Sequence, residues 1–115
     1  MAPEHSTALD ALRTRLVDLL RILQAHYYHP AFGSSYSLKR VAPVLAASVR
    51  YDDLAVANGM EAVLAYRRQL VAPPAERARL RRALLDYCAV DTRAMVQIWY
   101  ALAVASGAAV PPARQ

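Results

Sequence analysis

The last third of this 115-residue sequence carries a long helical pattern with one acidic residue on its apolar side. At spacings of three and four residues, one stripe is apolar at every position except Asp91. Such a stripe is typical of a helix face that packs against a core. Because an isolated ionised carboxylate is costly to bury, we expect Asp91 to lie at the rim of a cleft or to be bound to a partner. The stripe consists of Leu84, Cys88, Asp91, Met95, Ile98 and Leu102.

The rest of the pattern predicts a mainly α chain of about four helices and no convincing strand. Ser6 or Thr7 is a candidate cap for the first helix, and Asn58 with Glu61 forms a capping box for the third. Pro43 is expected to shorten or kink the second helix. The second half of the final helix is apolar nearly all round, so we expect a partner to bury it. The predicted helices span residues 7–25, 38–47, 60–71 and 75–106.

Composition limits the class of protein. A chain of this length, with 57% hydrophobic residues, forms one small domain at most or part of a larger one. One cysteine excludes an internal disulfide, and three scattered histidines give no pattern for structural zinc. Residues 1–7 lack the features of a signal peptide, and the uncharged run 94–113 is interrupted by Gly107 and two prolines. We therefore expect a cytoplasmic chain that does not span a membrane.

A net charge of +5, supplied almost wholly by arginine, is compatible with a nucleic-acid partner. A solvated arginine-rich surface explains the same charge equally well. Ser37, Lys39 and Arg40 follow a Gly-Ser-Ser turn at a helix start, where backbone N–H groups can meet a phosphate. These three residues are candidates for nucleic-acid binding, and Ser37 is at least equally suited to a plain helix cap.

The motif with the clearest chemistry is Tyr-x-x-x-Asp, which places Tyr87 and Asp91 one turn apart on the same helical face. Phosphodiester cleavage by two metal ions needs several converging carboxylates, and a neighbouring phenol can hold the attacking water. On spacing alone, the favoured explanation is a tyrosine packed at a helix edge and an aspartate paired with Arg93 or another arginine. Cys88 is expected to be buried rather than nucleophilic, because no basic residue is placed to activate it.

The residues around this motif resemble a known family. Residues 85–95, LDYCAVDTRAM, resemble the third motif of the DnaQ-like 3′–5′ exonucleases, in the DEDDy branch that reads Tyr-x-x-x-Asp. Residues 27–39, YYHPAFGSSYSLK, resemble an uncharacterised bacterial family with the same RNase H-like fold. The segments Tyr51-Asp52-Asp53-Leu54, Asn58-Gly59 and Glu61-Ala62 resemble that family too. The resemblance covers roughly residues 9–102.

This resemblance implies an RNase H-like domain that binds DNA or RNA and holds two Mg²⁺ or Mn²⁺ ions with four acids. By analogy Asp91 is a catalytic metal ligand, and Tyr87 orients the attacking water. The family's first motif, Asp-x-Glu on a strand, and its second acidic motif have no counterpart in this sequence. The analogy therefore predicts the helical C-terminal part of such a domain without its sheet, inactive alone.

The sequence is therefore expected to divide into three parts: a disordered or non-native start at 1–8, the nuclease-like segment at 9–106 and a loose tail at 107–115.

A missing N-terminal half or a second copy of the chain is the expected protein partner. The alternative function is a non-enzymatic helical interaction module that self-associates or binds another protein, so whether the chain is part of an enzyme stays open here.

Overall fold

The computed structural model describes residues 3–109, which form five α-helices and two short 3₁₀ turns. No β-strand occurs within that range, and the predicted mainly α fold without a sheet is confirmed. The 3₁₀ turns are Pro3–His5 and Pro30–Phe32. The helices are α1, Ser6–Arg13; α2, Leu19–His26; α3, Leu38–Leu45; α4, Gly59–Val71; and α5, Pro74–Ala105.

The first predicted helix, 7–25, is wrong as a single element, because the chain leaves the helical conformation between α1 and α2. On the α2 side, Asp18 causes this interruption of the helix. Its extended backbone places its carboxylate to accept a hydrogen bond from the Leu20 N–H at 3.0 Å, which caps α2. Neither Ser6 nor Thr7 caps α1, since His5 occupies the cap position.

The later helices begin and end close to their predicted limits. The Asn58 side chain caps α4 by accepting a hydrogen bond from the Glu61 N–H, and the Glu61 carboxylate accepts one from the N–H of Ala57, one residue before the N–H that a standard capping box would use. Pro74 occupies the first turn of α5, and Gly107 closes that helix with a φ of 74°. Helix α3 ends at Leu45, two residues earlier than predicted, with Pro43 inside it.

The core lies where α3 packs against the second half of α5. Ala94 is fully buried and Ile98 is 2% exposed, and both belong to one cluster with Val41 and Ala42 of α3. Small side chains on both helices allow their backbones to approach closely. Leu23 of α2 completes the contact from the N-terminal side.

This packing corrects the predicted stripe on α5. Ala94 and Ile98 form its buried centre, whereas Met95 is 49% exposed. Cys88, which was expected to be buried, is exposed. The buried face is therefore rotated away from Cys88 and Met95, because α3 contacts the small Ala94 rather than the larger apolar residue beside it.

The two ends of the chain are described only in part. Residues 3–8 belong to the first 3₁₀ turn and α1, while residues 1–2 and the section 110–115 of the predicted tail lie outside the described residues. The division at residues 8 and 106 stays a prediction. In the described part of the chain, no helix has the length and apolar character needed to cross a membrane.

We expect Ile98→Ala to lower the free energy of unfolding by about 2–5 kcal/mol, because it leaves a cavity in the contact between α3 and α5. Leu85→Ala, at an exposed position of the same helix, is the control and should cost less than about 1 kcal/mol. Urea titration followed by circular dichroism measures both. Equal losses for the two variants would contradict the position of the core.

Candidate functional site

Asp91 lies half-buried in the middle of α5, and a phenol binds it. The Tyr51 hydroxyl donates a hydrogen bond to Oδ1 of Asp91, with 2.7 Å between the two oxygens. No arginine lies within ion-pair distance of Asp91 in residues 3–109, so the predicted alternative of an Arg93 pair is not what the structure shows. The acid on the apolar side of the helix is thus stabilised by a neutral donor.

Tyr87 lies one helical turn before Asp91 and completes a cluster of three side chains. Its ring meets the Tyr51 ring edge to face, with the centroids 6.4 Å apart. Both phenols are therefore next to the carboxylate, as the Tyr-x-x-x-Asp spacing predicts for Tyr87. The roles of Tyr87 and Asp91 in catalysis stay predictions.

Tyr51 is held in place by the segment that joins α3 to α4. Val49 is buried in the core cluster two residues earlier, and Val56 is buried near the other end of the segment. The Leu54 N–H donates to the Tyr51 carbonyl, which closes a turn between them. Sequence reasoning used Tyr51 only for the family resemblance and missed it as a site residue, since no local pattern links positions 40 residues apart.

The environment of the cluster favours the neutral form of both phenols. Burial, followed by the hydrogen bond to Asp91 and the charge of Asp91, raises the pKa of Tyr51 above its ordinary value of 10.0. Burial and the charge of Asp91 raise the pKa of Tyr87 as well. Both hydroxyls therefore keep their protons at neutral pH and are available as hydrogen-bond donors.

The described residues do not by themselves fit a two-metal centre. Such a centre needs several carboxylates around the two ions. No group of three or more His, Cys, Asp or Glu side chains comes together within residues 3–109. Asp86, the acid nearest to Asp91 in the sequence, is paired with Arg82 at 3.0 Å. Asp91 could serve as one ligand, and the other acids would have to come from outside the described residues.

The three predicted nucleic-acid-binding residues do not form one surface. Lys39 lines a pocket of about 430 Å³ together with Arg50 and Tyr51, which places a cation beside the Asp91 cluster. Ser37 instead lines a groove on another side of α3, and its side chain makes no capping bond. Arg40 is exposed and lines neither concavity.

The aromatic loop before α3 packs onto the core. Phe32 is buried between the rings of Tyr27 and Tyr36, and the Tyr36 hydroxyl donates to the Tyr27 carbonyl at 3.3 Å. His29 caps the 3₁₀ turn by accepting a hydrogen bond from the Ala31 N–H. Tyr28 alone among the loop tyrosines is exposed. Packing, rather than stacking on bases, therefore explains most of this loop.

A second concave surface separates α2 from α5, and we call it the α2–α5 groove. Its walls are mostly apolar, and two adjoining cavities of about 550 and 410 Å³ share Val17, Leu19 and Met95. Trp99 lines the outer cavity and is 42% exposed. This exposed apolar surface agrees with the expectation that the second half of α5 needs a partner. The groove is defined by Val17, Leu19, Leu20, Met95, Val96 and Trp99.

Comparison with known proteins defines the class. Residues 2–103 match a family model described as RNase_H superfamily. The match covers most of the chain, so the chain belongs to the RNase H superfamily. No curated protein and no solved structure matches the chain significantly. The RNase H-like part of the resemblance is confirmed and indicates a nuclease-related domain that interacts with nucleic acid, while the assignment to bacterial DnaQ-like DEDDy exonucleases stays a prediction.

We expect the folded chain to lose stability as the pH rises above about 10, where tyrosines of the unfolded chain ionise. Tyr51 and Tyr87 contribute to this loss, because a raised pKa in the folded state means that the unfolded state releases its protons first. Tyr51→Phe should make the alkaline loss shallower, whereas Tyr28→Phe, at an exposed position, should not. Urea midpoints measured between neutral and alkaline pH check this, and identical slopes for both variants would contradict it.

Proposed function

We propose that this chain is the helical part of a 3′–5′ exonuclease-like domain of the RNase H superfamily. In this proposal Asp91 supplies one carboxylate of a phosphodiester hydrolysis site, and Tyr87 orients the attacking water. The observation that carries the proposal is the half-buried Asp91 carboxylate between two phenols, in a chain whose residues 2–103 match that superfamily.

The proposal requires acids from another segment or another chain. Mg²⁺ or Mn²⁺ is proposed only for that assembly, since the described residues bring one suitable carboxylate together with two neutral phenols. The chain alone is therefore expected to be inactive. The chain's own contribution is the orientation of Asp91, the placement of the Tyr87 phenol and the basic surface around Lys39.

To test the site, the chain is purified from its native cells with its bound partners and assayed on 3′-labelled DNA and RNA. We expect divalent-ion-dependent release of nucleotides, reduced on the order of 10²-fold or more by Asp91→Asn and also reduced by Tyr87→Phe. Asp86→Asn is the matched control, because Asp86 lies on the same helix but pairs with Arg82. An Asp91→Asn assembly as active as wild type, or an inactive wild-type assembly, would reject the proposed function.

The predicted nucleic-acid contacts of Lys39 and Arg40 have their own test. We expect Lys39→Ala and Arg40→Ala to weaken binding of single-stranded oligonucleotides, and each lost phosphate contact should lower the slope of log affinity against log salt by about 0.7. Arg13→Ala is the control, since α1 contributes no residue to the core or to the pocket beside Lys39. Fluorescence anisotropy at several salt concentrations measures the slope, and unchanged slopes would reject these contacts.

The α2–α5 groove favours the second candidate function, a module that binds a protein partner or itself. Leu20, Met95 and Trp99 of its walls are 45%, 49% and 42% exposed. Apolar side chains grouped on one exposed surface are typical of a site that contacts another protein. Either a complementary half-domain or a second copy could supply the missing contact.

We expect the isolated chain to self-associate through this groove, because its apolar walls otherwise remain in water. Met95→Glu places a charge where the two cavities join and should shift the mass towards the 12.7 kDa monomer. Met60→Glu, at an exposed position of α4, is the matched control and should leave the mass unchanged. Light scattering at several protein concentrations measures the mass. A wild-type chain that is a monomer at every concentration would argue against self-association.

A further inference from the structure

Tyr51 reaches Asp91 from a different part of the chain. It lies in the segment between α3 and α4, and its hydrogen bond to Oδ1 crosses to the middle of α5. The distance of 2.7 Å is that of a well-formed O–H···O hydrogen bond. We propose that Tyr51 is a positioning residue for Asp91, which holds the carboxylate in one orientation through Oδ1.

The Tyr51 ring is well placed to act as a fixed donor. It packs against the core cluster that contains the buried Val49, and its other neighbour is the Tyr87 ring, edge to face. A tyrosine side chain has only two main torsions, so holding it in one position costs little conformational entropy. A rigid phenol can therefore restrict the shorter and otherwise mobile carboxylate of Asp91.

The chemistry of the donor also matters. A phenol is neutral, so it orients the carboxylate without cancelling its negative charge, whereas an arginine in the same place would form an ion pair. Within residues 3–109, Asp91 forms no ion pair. The contact with Tyr51 therefore orients the carboxylate without supplying a counter-charge.

A purely structural role for Tyr51 predicts something different. In that case the bond would tie the segment after α3 to α5, and its loss would lower stability without changing how Asp91 is oriented. Positioning instead predicts that Asp91 samples several side-chain orientations once the hydroxyl is removed. The proposal on orientation stands on the chain alone, and its consequence for catalysis rests on the proposed function.

The experiment compares wild type with Tyr51→Phe, which removes only the hydroxyl. Tyr36→Phe is the matched control, because it removes another half-buried hydroxyl that donates to a backbone carbonyl in the same core. Three-bond couplings between the α and β protons of Asp91 are measured by NMR. We expect two unequal couplings in wild type and in Tyr36→Phe, which indicate one orientation, and convergence of the two values in Tyr51→Phe.

A second measurement on the wild type covers the case in which Tyr51→Phe does not fold. The Tyr51 hydroxyl proton should exchange slowly enough to be observed and should show a cross-relaxation signal to the β protons of Asp91. Averaged couplings at Asp91 in the wild type, or unequal couplings retained in a folded Tyr51→Phe, would overturn the proposal.

The catalytic consequence is measured separately in the assembly used to test the proposed function. There Tyr51→Phe should lower kcat about 10-fold, with KM unchanged, as for other residues that orient a functional ligand. If the wild-type assembly is inactive but the orientation of Asp91 depends on Tyr51, the proposed function is rejected and the positioning is upheld. If the assembly is active but the orientation of Asp91 does not depend on Tyr51, the positioning is rejected and the proposed function is upheld.

Discussion

The packing of α3 against α5 determines where every candidate functional group lies. Ala42 and Ala94 are small and buried, so the two helices approach closely, and Ile98 fills the space beside them. The chain leaving α3 is consequently carried along α5 rather than away from it. That path puts Tyr51 within hydrogen-bond distance of Asp91. A bulkier residue at position 94 would separate the helices and break the link between the two segments.

The carboxylate of Asp91 has unusual surroundings for a residue on the surface of a helix. It is partly removed from water, yet its described partner is a neutral phenol rather than a cation. The cluster lies beside a pocket lined by Lys39 and by Arg50, whose guanidinium pairs with Asp52 of the same lining at 3.0 Å. Within residues 3–109, Lys39 is thus the basic residue of this lining that forms no ion pair.

Local rules predicted the elements with strong caps and missed what depends on tertiary contacts. The Asn58 cap and Pro74 fixed the starts of α4 and α5 closely, because these signals act within a few residues. The break at Asp18 was missed, since an aspartate in a leucine-rich run also fits a continuous helix. The buried face of α5 was misjudged because alanine is a weak hydrophobic signal in a helix that is apolar on several sides. Tyr51 could not be found, since its contact exists only after α3 has packed.

Helix α1 has a consequence of a different kind. Within residues 3–109 its eight residues are all exposed, and its main contact is with the short turn that precedes it. Isolated helices shorter than about 12 residues are marginal in water, so α1 gains little from its own hydrogen bonds. Leu9 and Leu12 of this helix are exposed, so any partner that covered them would stabilise α1 directly. The helical content of this segment would then report on such binding.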